Sequence, residues 1–216
     1  MIKVVLFDLD GTLVDSEEII LRSFDYVFLK HFPEHRLPLK EYSKYLGPIL
    51  DDTFSIYTKD KEIISKAIFD FRDYYRNHEK EIISLYPRVH ETLSWLKENE
   101  YKVVLLTNKD INSASPSMHY LDIYKYFDGC VALGMVKVGK PHKDPIYYAL
   151  DKFDVKEEEA IMVGDNDVDI LCTKGTKVKS VLVMQNEWSL DAKEKSNPDY
   201  TIDKLSDLID LLKEIN

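Results

Sequence analysis

Five short apolar runs constrain the fold more than anything else in this chain: VVLF (4–7), VVLL (103–106), CVAL (130–133), IMV (161–163) and SVLVM (180–184). They are near-continuous and rich in valine rather than alternating between polar and apolar residues. A strand with one face in water alternates, whereas a strand covered on both faces does not. The runs therefore predict a parallel sheet with a layer on each side. The stretches between them are helical in pattern. VHETLSWLKENE (89–100) brings Val89, Leu93 and Leu96 to one face, and DPIYYALDKF opens with Asp144 as cap and Pro145 at the first helical position. The tail repeats Leu205, Leu208, Ile209, Leu212 and Ile215 at helical spacing behind Asp203. Strands alternating with helices make a doubly wound α/β core.

One segment breaks that rhythm. No strand pattern occurs between about Ser16 and Ser84. EEIILRSFDYVFLKHF places Ile20, Phe24, Val27 and Phe28 at helical spacing, LKEYSKYLG predicts a helix stopped by Gly47, and KEIISKAIFDFRDYY repeats Ile64, Ile68, Phe71 and Tyr75. So long a helical excursion exceeds an ordinary connection and reads as an inserted lobe. The expected division is an α/β core of residues 1–15 and 85–216 carrying an all-helical cap of residues 16–84.

Charge and composition exclude several classes. The formal charge of −10 over 216 residues argues against nucleic acid, whose phosphates call for clustered Lys and Arg. No apolar run approaches the ~20 residues of a membrane helix. Met1 leads straight into IKVVLFDLD without a signal-peptide layout, so the expectation is a cytoplasmic protein. Cys130 and Cys172 are too few for a disulfide framework and lack metal-ligand spacing.

In an open α/β sheet, ligands bind beyond the carboxyl ends of the strands. VVLF is followed by Asp8, Asp10, Gly11 and Thr12; VVLL by Thr107, Asn108 and Lys109; CVAL by a loop reaching Gly139 and Lys140; IMV by Gly164, Asp165 and Asn166. Two carboxylates, Asp8 and Asp165, suit Mg²⁺, which binds one or two acids together with substrate phosphate. Asp8 has the character of a carboxylate nucleophile. Asp10 is near enough to protonate a leaving oxygen and then activate water. Thr107, Asn108 and Lys140 would hold phosphoryl oxygens as charge builds, and Gly11 permits the turn after the strand.

Two familiar binding loops come close to matching and fail. The alternating Asp165, Asp167 and Asp169 suggest a calcium loop, but Ile170 stands where that loop needs glycine and Thr176 where it needs a bidentate acid. Gly134 to Lys140 nearly spells a nucleotide-binding loop, yet Pro141 replaces the required Ser or Thr.

FDLDGTLVDS, LLTNK, GKPHKDP and VGDNDVDI resemble, in order, the four motifs of the haloacid dehalogenase-like superfamily, a large group of mostly Mg²⁺-dependent phosphatases. YPRVHETLSWLKENEYKVVLLTNK follows the same pattern, so the resemblance covers nearly the whole chain. It implies a Rossmann-like core, Asp8 as nucleophile, Asp10 as general acid and base, and Thr107 and Lys140 as phosphate ligands. It further implies Mg²⁺ held by the Asp8 side chain, the Asp10 carbonyl and Asp165, with Asp169 acting from behind them. Asp10 separates the chain from the dehalogenases, which lack that acid. Ile20 stands where the sugar phosphomutases carry a cap histidine. YLGPILDDTF (45–54) resembles the cap loop of phosphoglycolate- and pyrophosphate-type phosphatases. Those carry a basic residue after Gly-Pro, whereas Asp51 and Asp52 follow here, which argues against a second anionic group on the substrate. The expectation is a phosphatase for a small phosphorylated metabolite, monomeric or weakly dimeric. A sugar phosphomutase and a non-catalytic phosphate-ligand binder are the alternatives.

Overall fold

The computed structural model describes all residues, Met1–Asn216. Its centre is a parallel sheet in which β1 (Val4–Phe7) lies between β4 (Lys102–Asp110) and β6 (Ala160–Gly164). Beyond β4 lies β5 (Gly129–Leu133); beyond β6 lie β7 (Lys179–Val183) and β8 (Tyr200–Ile202), giving the order β5-β4-β1-β6-β7-β8. Every residue of β1 and β6 is buried. Their side chains alternate between two apolar layers: Val5, Phe7, Ile161 and Val163 face one way, Val4, Leu6, Ala160 and Met162 the other. Burial on both sides explains why these segments read as continuous apolar runs. The edge strand β8 has no such run, because only Ile202 of its three residues is buried, and sequence reasoning missed it.

Helices α4 (Val89–Glu98) and α9 (Leu208–Ile215) contribute to the layer containing Val5, and α6 (Asp144–Phe153) to the layer containing Leu6. Helix α5 (Ile111–Tyr120) joins the first layer through Ala114 and Met118, while α8 (Ser189–Ser196) clusters Ala192 with Ile170 and Leu182. Helix α6 begins one residue earlier than expected, with Lys143 at the cap position and Asp144 already helical. No helix is long and apolar enough to cross a membrane.

The helical excursion leaves through β2 (Val14–Asp15) and returns through β3 (Ser84–Leu85), which pair antiparallel as a two-stranded stem. On this stem stand α1 (Glu17–His31), α2 (Leu50–Ser55) and α3 (Lys61–Ile82). The lobe packs Phe24, Phe28, Tyr42 and Phe54 together, with Phe71 edge-on against Phe24, and these rings are continuous with the apolar layer containing Val5. Residues Leu39–Tyr45 form 3₁₀ turns rather than the expected α-helix. Pro38 and Gly47–Pro48 bound that segment on either side.

Candidate active site

The three central strands decide which distant residues meet. Phe7 is in register with Val163 and Leu105, so the residues following β1, β4 and β6 emerge side by side. The strand order also reverses at β1, where a cleft opens in this class of sheet. Asp8 is tied to β6 by its backbone N–H, which donates to the Val163 carbonyl at 3.0 Å.

One carboxylate oxygen from each of Asp8, Asp165 and Asp169 lies within 4.8 Å of the others, and all three residues are buried. A single cation faces them. Lys140 Nζ donates to Asp8 Oδ1 at 2.7 Å, to Asp169 Oδ1 at 2.6 Å and to the Leu106 carbonyl at 2.9 Å. Burial works against the Lys140 charge, but Asp169 and Asp8 outweigh it and hold the ammonium above its ordinary range. Burial likewise raises the Asp8 carboxyl to about 6, against the pull of Lys140 and with further repulsion from Asp169. Asp165 is raised well above the usual carboxylate range by burial, then by Asp169 and Asp8.

Three buried acids against one lysine gather hard oxygen donors whose full ionisation would leave an excess of negative charge. A small divalent cation such as Mg²⁺ would neutralise that excess, so the residues fit the metal. Asp8, Asp165 and Asp169 each bring one carboxylate oxygen to this cluster and could hold it. Asp169 has both oxygens engaged, one by Lys140 and the other by the Asn166 backbone N–H at 3.0 Å, in the capping box of α7 (Asp167–Leu171).

Asp165 is held by Thr12, from the first motif, and by Asn186 and Trp188, which the motifs in the sequence do not include. Thr12 Oγ1 donates to its Oδ1 at 2.7 Å; Asn186 Nδ2 and Trp188 Nε1 donate to its Oδ2 at 2.9 and 2.8 Å. Gln185 and Asn186 also donate to the Gly11 carbonyl, tying this loop to the one carrying Asp10. A signal for these residues exists in the sequence, because Gln185–Trp188 directly follows the apolar run SVLVM and so occupies a strand end like the others. Gly11 is required here for two reasons. Its φ is +85°, and a Cβ on it would lie 2.3 Å from Asp165 Oδ2.

Asp10 sits at the cavity wall, where its Oδ1 accepts from Ser16 Oγ at 2.7 Å and from Lys109 Nζ at 3.1 Å. Thr107 is buried beside Asp8 and Lys140 in the lining of the same cavity. Asn108 lines the same cavity, with its side chain engaged by protein groups. Its amide donates to the Gly47 and Lys140 carbonyls, both at 2.9 Å, and its oxygen accepts from the Lys140 backbone N–H at 2.8 Å. The Asn108 side chain therefore joins the Lys140 loop to the cap. The cavity, about 130 Å³ between cap and core, is lined from the core by Asp8, Asp10, Thr107 and Lys140 and from the cap by Ile20, Phe24, Phe71 and Tyr75.

Residues 5–183 match the family described as haloacid dehalogenase-like hydrolase. The chain is 35% identical to pyrophosphatase PpaX of Bacillus mycoides over 218 aligned positions, covering 100% of this chain and 99% of that protein. PpaX of Bacillus cereus is 34% identical, with 100% and 98% covered. Among solved structures, a predicted phosphatase from Clostridium acetobutylicum superposes with a TM-score of 0.89 at 28% identity, covering 99% of each chain. A haloacid dehalogenase-like family hydrolase from Streptococcus pneumoniae gives 0.83 at 28% identity, with 100% and 99% covered.

Proposed function

Because the chain belongs to the haloacid dehalogenase-like hydrolases, we propose that it is an Mg²⁺-dependent phosphatase that transfers the phosphoryl group of a small phosphomonoester to Asp8 and then to water. The observation that carries this reading is the convergence of Asp8, Asp165, Asp169 and Lys140 in one buried cluster at the cavity. Residues 1–15 and 85–216 would be the catalytic core and 16–84 the cap. With free cysteines and no need for a second chain at the site, the reading is of a cytoplasmic monomer or weak homodimer.

In the first step an Asp8 carboxylate oxygen bonds to phosphorus in line with the leaving oxygen, whose own bond to phosphorus breaks. Asp10 delivers a proton to that oxygen. In the second step water attacks phosphorus, Asp10 takes its proton, and the Asp8–phosphorus bond breaks to release phosphate. Lys140 and Thr107 stabilise the phosphoryl oxygens through both steps. Bound Mg²⁺ would offset the repulsion between the Asp8 carboxylate and the incoming phosphate. Asp169 keeps Lys140 aimed, and Asn186, Trp188 and Thr12 keep Asp165 aimed.

Inorganic pyrophosphate is a second candidate substrate. It is favoured by the PpaX relatives and by Arg72 and Lys109, which line the cavity and supply the positive charge missing after Gly47–Pro48. Asp51 and Asp52 are exposed on α2 and stand outside the cavity lining. Mutase chemistry is disfavoured by Ile20, which lines the cavity where a proton-shuttling histidine would be needed.

The test is phosphate release from a panel of small esters and pyrophosphate, with Mg²⁺ and with EDTA. Wild type should require the metal, and Asp8→Asn should release nothing while keeping its far-UV spectrum. Normal turnover by Asp8→Asn would overturn the assignment.

A further inference from the structure

The two aspartates that follow β1 are each met by a lysine of their own. Lys140 serves Asp8, whereas Lys109 Nζ donates to Asp10 Oδ1 at 3.1 Å. Lys109 can reach there because the ladder is irregular at the end of β4. Thr107 pairs with Ala132 of β5 and Asp110 with Leu133, so Asn108 and Lys109 lie in the irregularity between them. The Lys109 backbone N–H donates to Thr107 Oγ1 at 3.2 Å, which ties the departure point to the cavity lining. The ammonium is nearly enclosed. Its side chain is 10% exposed, and Nζ also donates to the Tyr75 hydroxyl at 2.7 Å and lies 4.0 Å from the centre of that ring. Burial opposes the Lys109 charge, but Asp10 and Tyr75 outweigh it and hold the ammonium above its ordinary range.

The two oxygens of Asp10 are thereby made unequal. Oδ1 accepts from Ser16 Oγ at 2.7 Å and from Lys109, while no protein group donates to Oδ2. An oxygen that already accepts two hydrogen bonds, one of them from a cation, is the poorer place for a proton. A proton on Asp10 therefore sits on Oδ2, the oxygen left free in a side chain that lines the cavity.

We propose that Lys109 is a positioning residue for proton transfer: by occupying Oδ1 it orients the Asp10 carboxyl so that Oδ2 hands the proton to the leaving group. The inference rests on the phosphatase reading. In the step concerned, the bond between phosphorus and the leaving oxygen breaks and the proton on Asp10 Oδ2 passes to that oxygen. Asp10 is left as a carboxylate facing the Lys109 ammonium. A group that departs as a stable anion has no use for the proton. Lys109 therefore matters for poor leaving groups and is dispensable for good ones, whereas a lysine that bound the substrate directly would matter for both.

The experiment measures kcat and KM for two phosphates of similar size, ethyl phosphate and acetyl phosphate, in wild type, Lys109→Met, Lys109→Arg and Tyr75→Phe. Ethoxide needs a proton as it leaves; acetate does not. Crystal structures of wild type and Lys109→Met are compared at Asp10. Lys109→Met should lower kcat/KM about 10–100-fold for ethyl phosphate and less than about threefold for acetyl phosphate, with the loss in kcat rather than KM. Retained turnover of acetyl phosphate shows that the variant is folded. Lys109→Arg should restore most of the loss. Tyr75→Phe, which removes only a hydroxyl that steadies Lys109, should show the same split at about threefold. The Asp10 carboxyl should turn away from its wild-type position in the Lys109→Met crystal. Equal losses on the two substrates, or no loss on either, would overturn the proposal, as would a wild type that cleaves acetyl phosphate alone. If wild type cleaves neither compound, nor any other phosphate ester, the phosphatase reading falls. The two crystal structures then still decide the positioning, and an unmoved Asp10 refutes it.

Discussion

Replacing Lys140 with methionine removes the only cation from a buried group of three acids while keeping much of the side-chain volume. The Lys140 side chain is 1% exposed, and its Nζ stands 2.7 Å from Asp8 and 2.6 Å from Asp169, neither of which can turn to water for compensation. Breaking a buried pair from one side costs about 3–5 kcal/mol, because the partner is left charged in a poorly solvating interior. In a chain of this size each kcal/mol lowers Tm by about 2–4 °C, so the variant should melt about 6–20 °C below wild type near neutral pH. The sign of the pH dependence follows from Asp8, whose carboxyl stands raised at about 6 even with Lys140 beside it. Without the lysine it rises further, so the uncompensated charge is present above that value and disappears as pH falls through it. Melting followed by circular dichroism should therefore show a wide gap at about pH 7.5 and a narrower one at about pH 5. Added Mg²⁺ should narrow the gap at the higher pH by supplying the missing positive charge. A gap below about 2 °C, or one equally wide at both pH values, would refute the electrostatic account of the cluster.

Two further outcomes test the same cluster from its metal side. Trp188→Phe removes one donor from Asp165 Oδ2 and should weaken Mg²⁺ binding about tenfold by calorimetry; an unchanged affinity would reduce Trp188 to packing. Protons should compete with the metal, because Asp8 titrates at about 6 and Asp165 is raised as well, so Mg²⁺ affinity should fall as pH drops through that region. Calorimetry at about pH 6 in buffers of different ionisation enthalpy should detect proton release, and its absence would show that the acids are already charged in the free protein.

The legible parts of this protein are those set by near neighbours in the chain. VVLF and IMV announce buried strands because burial on both faces leaves no polar position in either. Asp8 and Asp165 stand out because a strand-end acid directly after such a run has no structural need to be there. Lys109 and Tyr75 were less legible. Lys109 was visible at its strand end, but its partners, Asp10 and Tyr75, lie on two other segments, one of them in the cap. The Asn108 amide looks like a phosphate donor when only its place after Thr107 is known, yet the fold spends it on Gly47 and Lys140.

Local pattern alone thus determined the layered α/β architecture, the helical insertion and the strand ends that bear acids, since periodicity and strand-end position are properties of contiguous residues. Tertiary structure alone decided that β1 lies between β4 and β6, that Lys140 is shared by Asp8 and Asp169, and that Lys109 lies between Asp10 and Tyr75. Those outcomes depend on strand order, register and lobe docking, which are settled by packing among segments far apart in the chain and leave no periodic trace in any one of them.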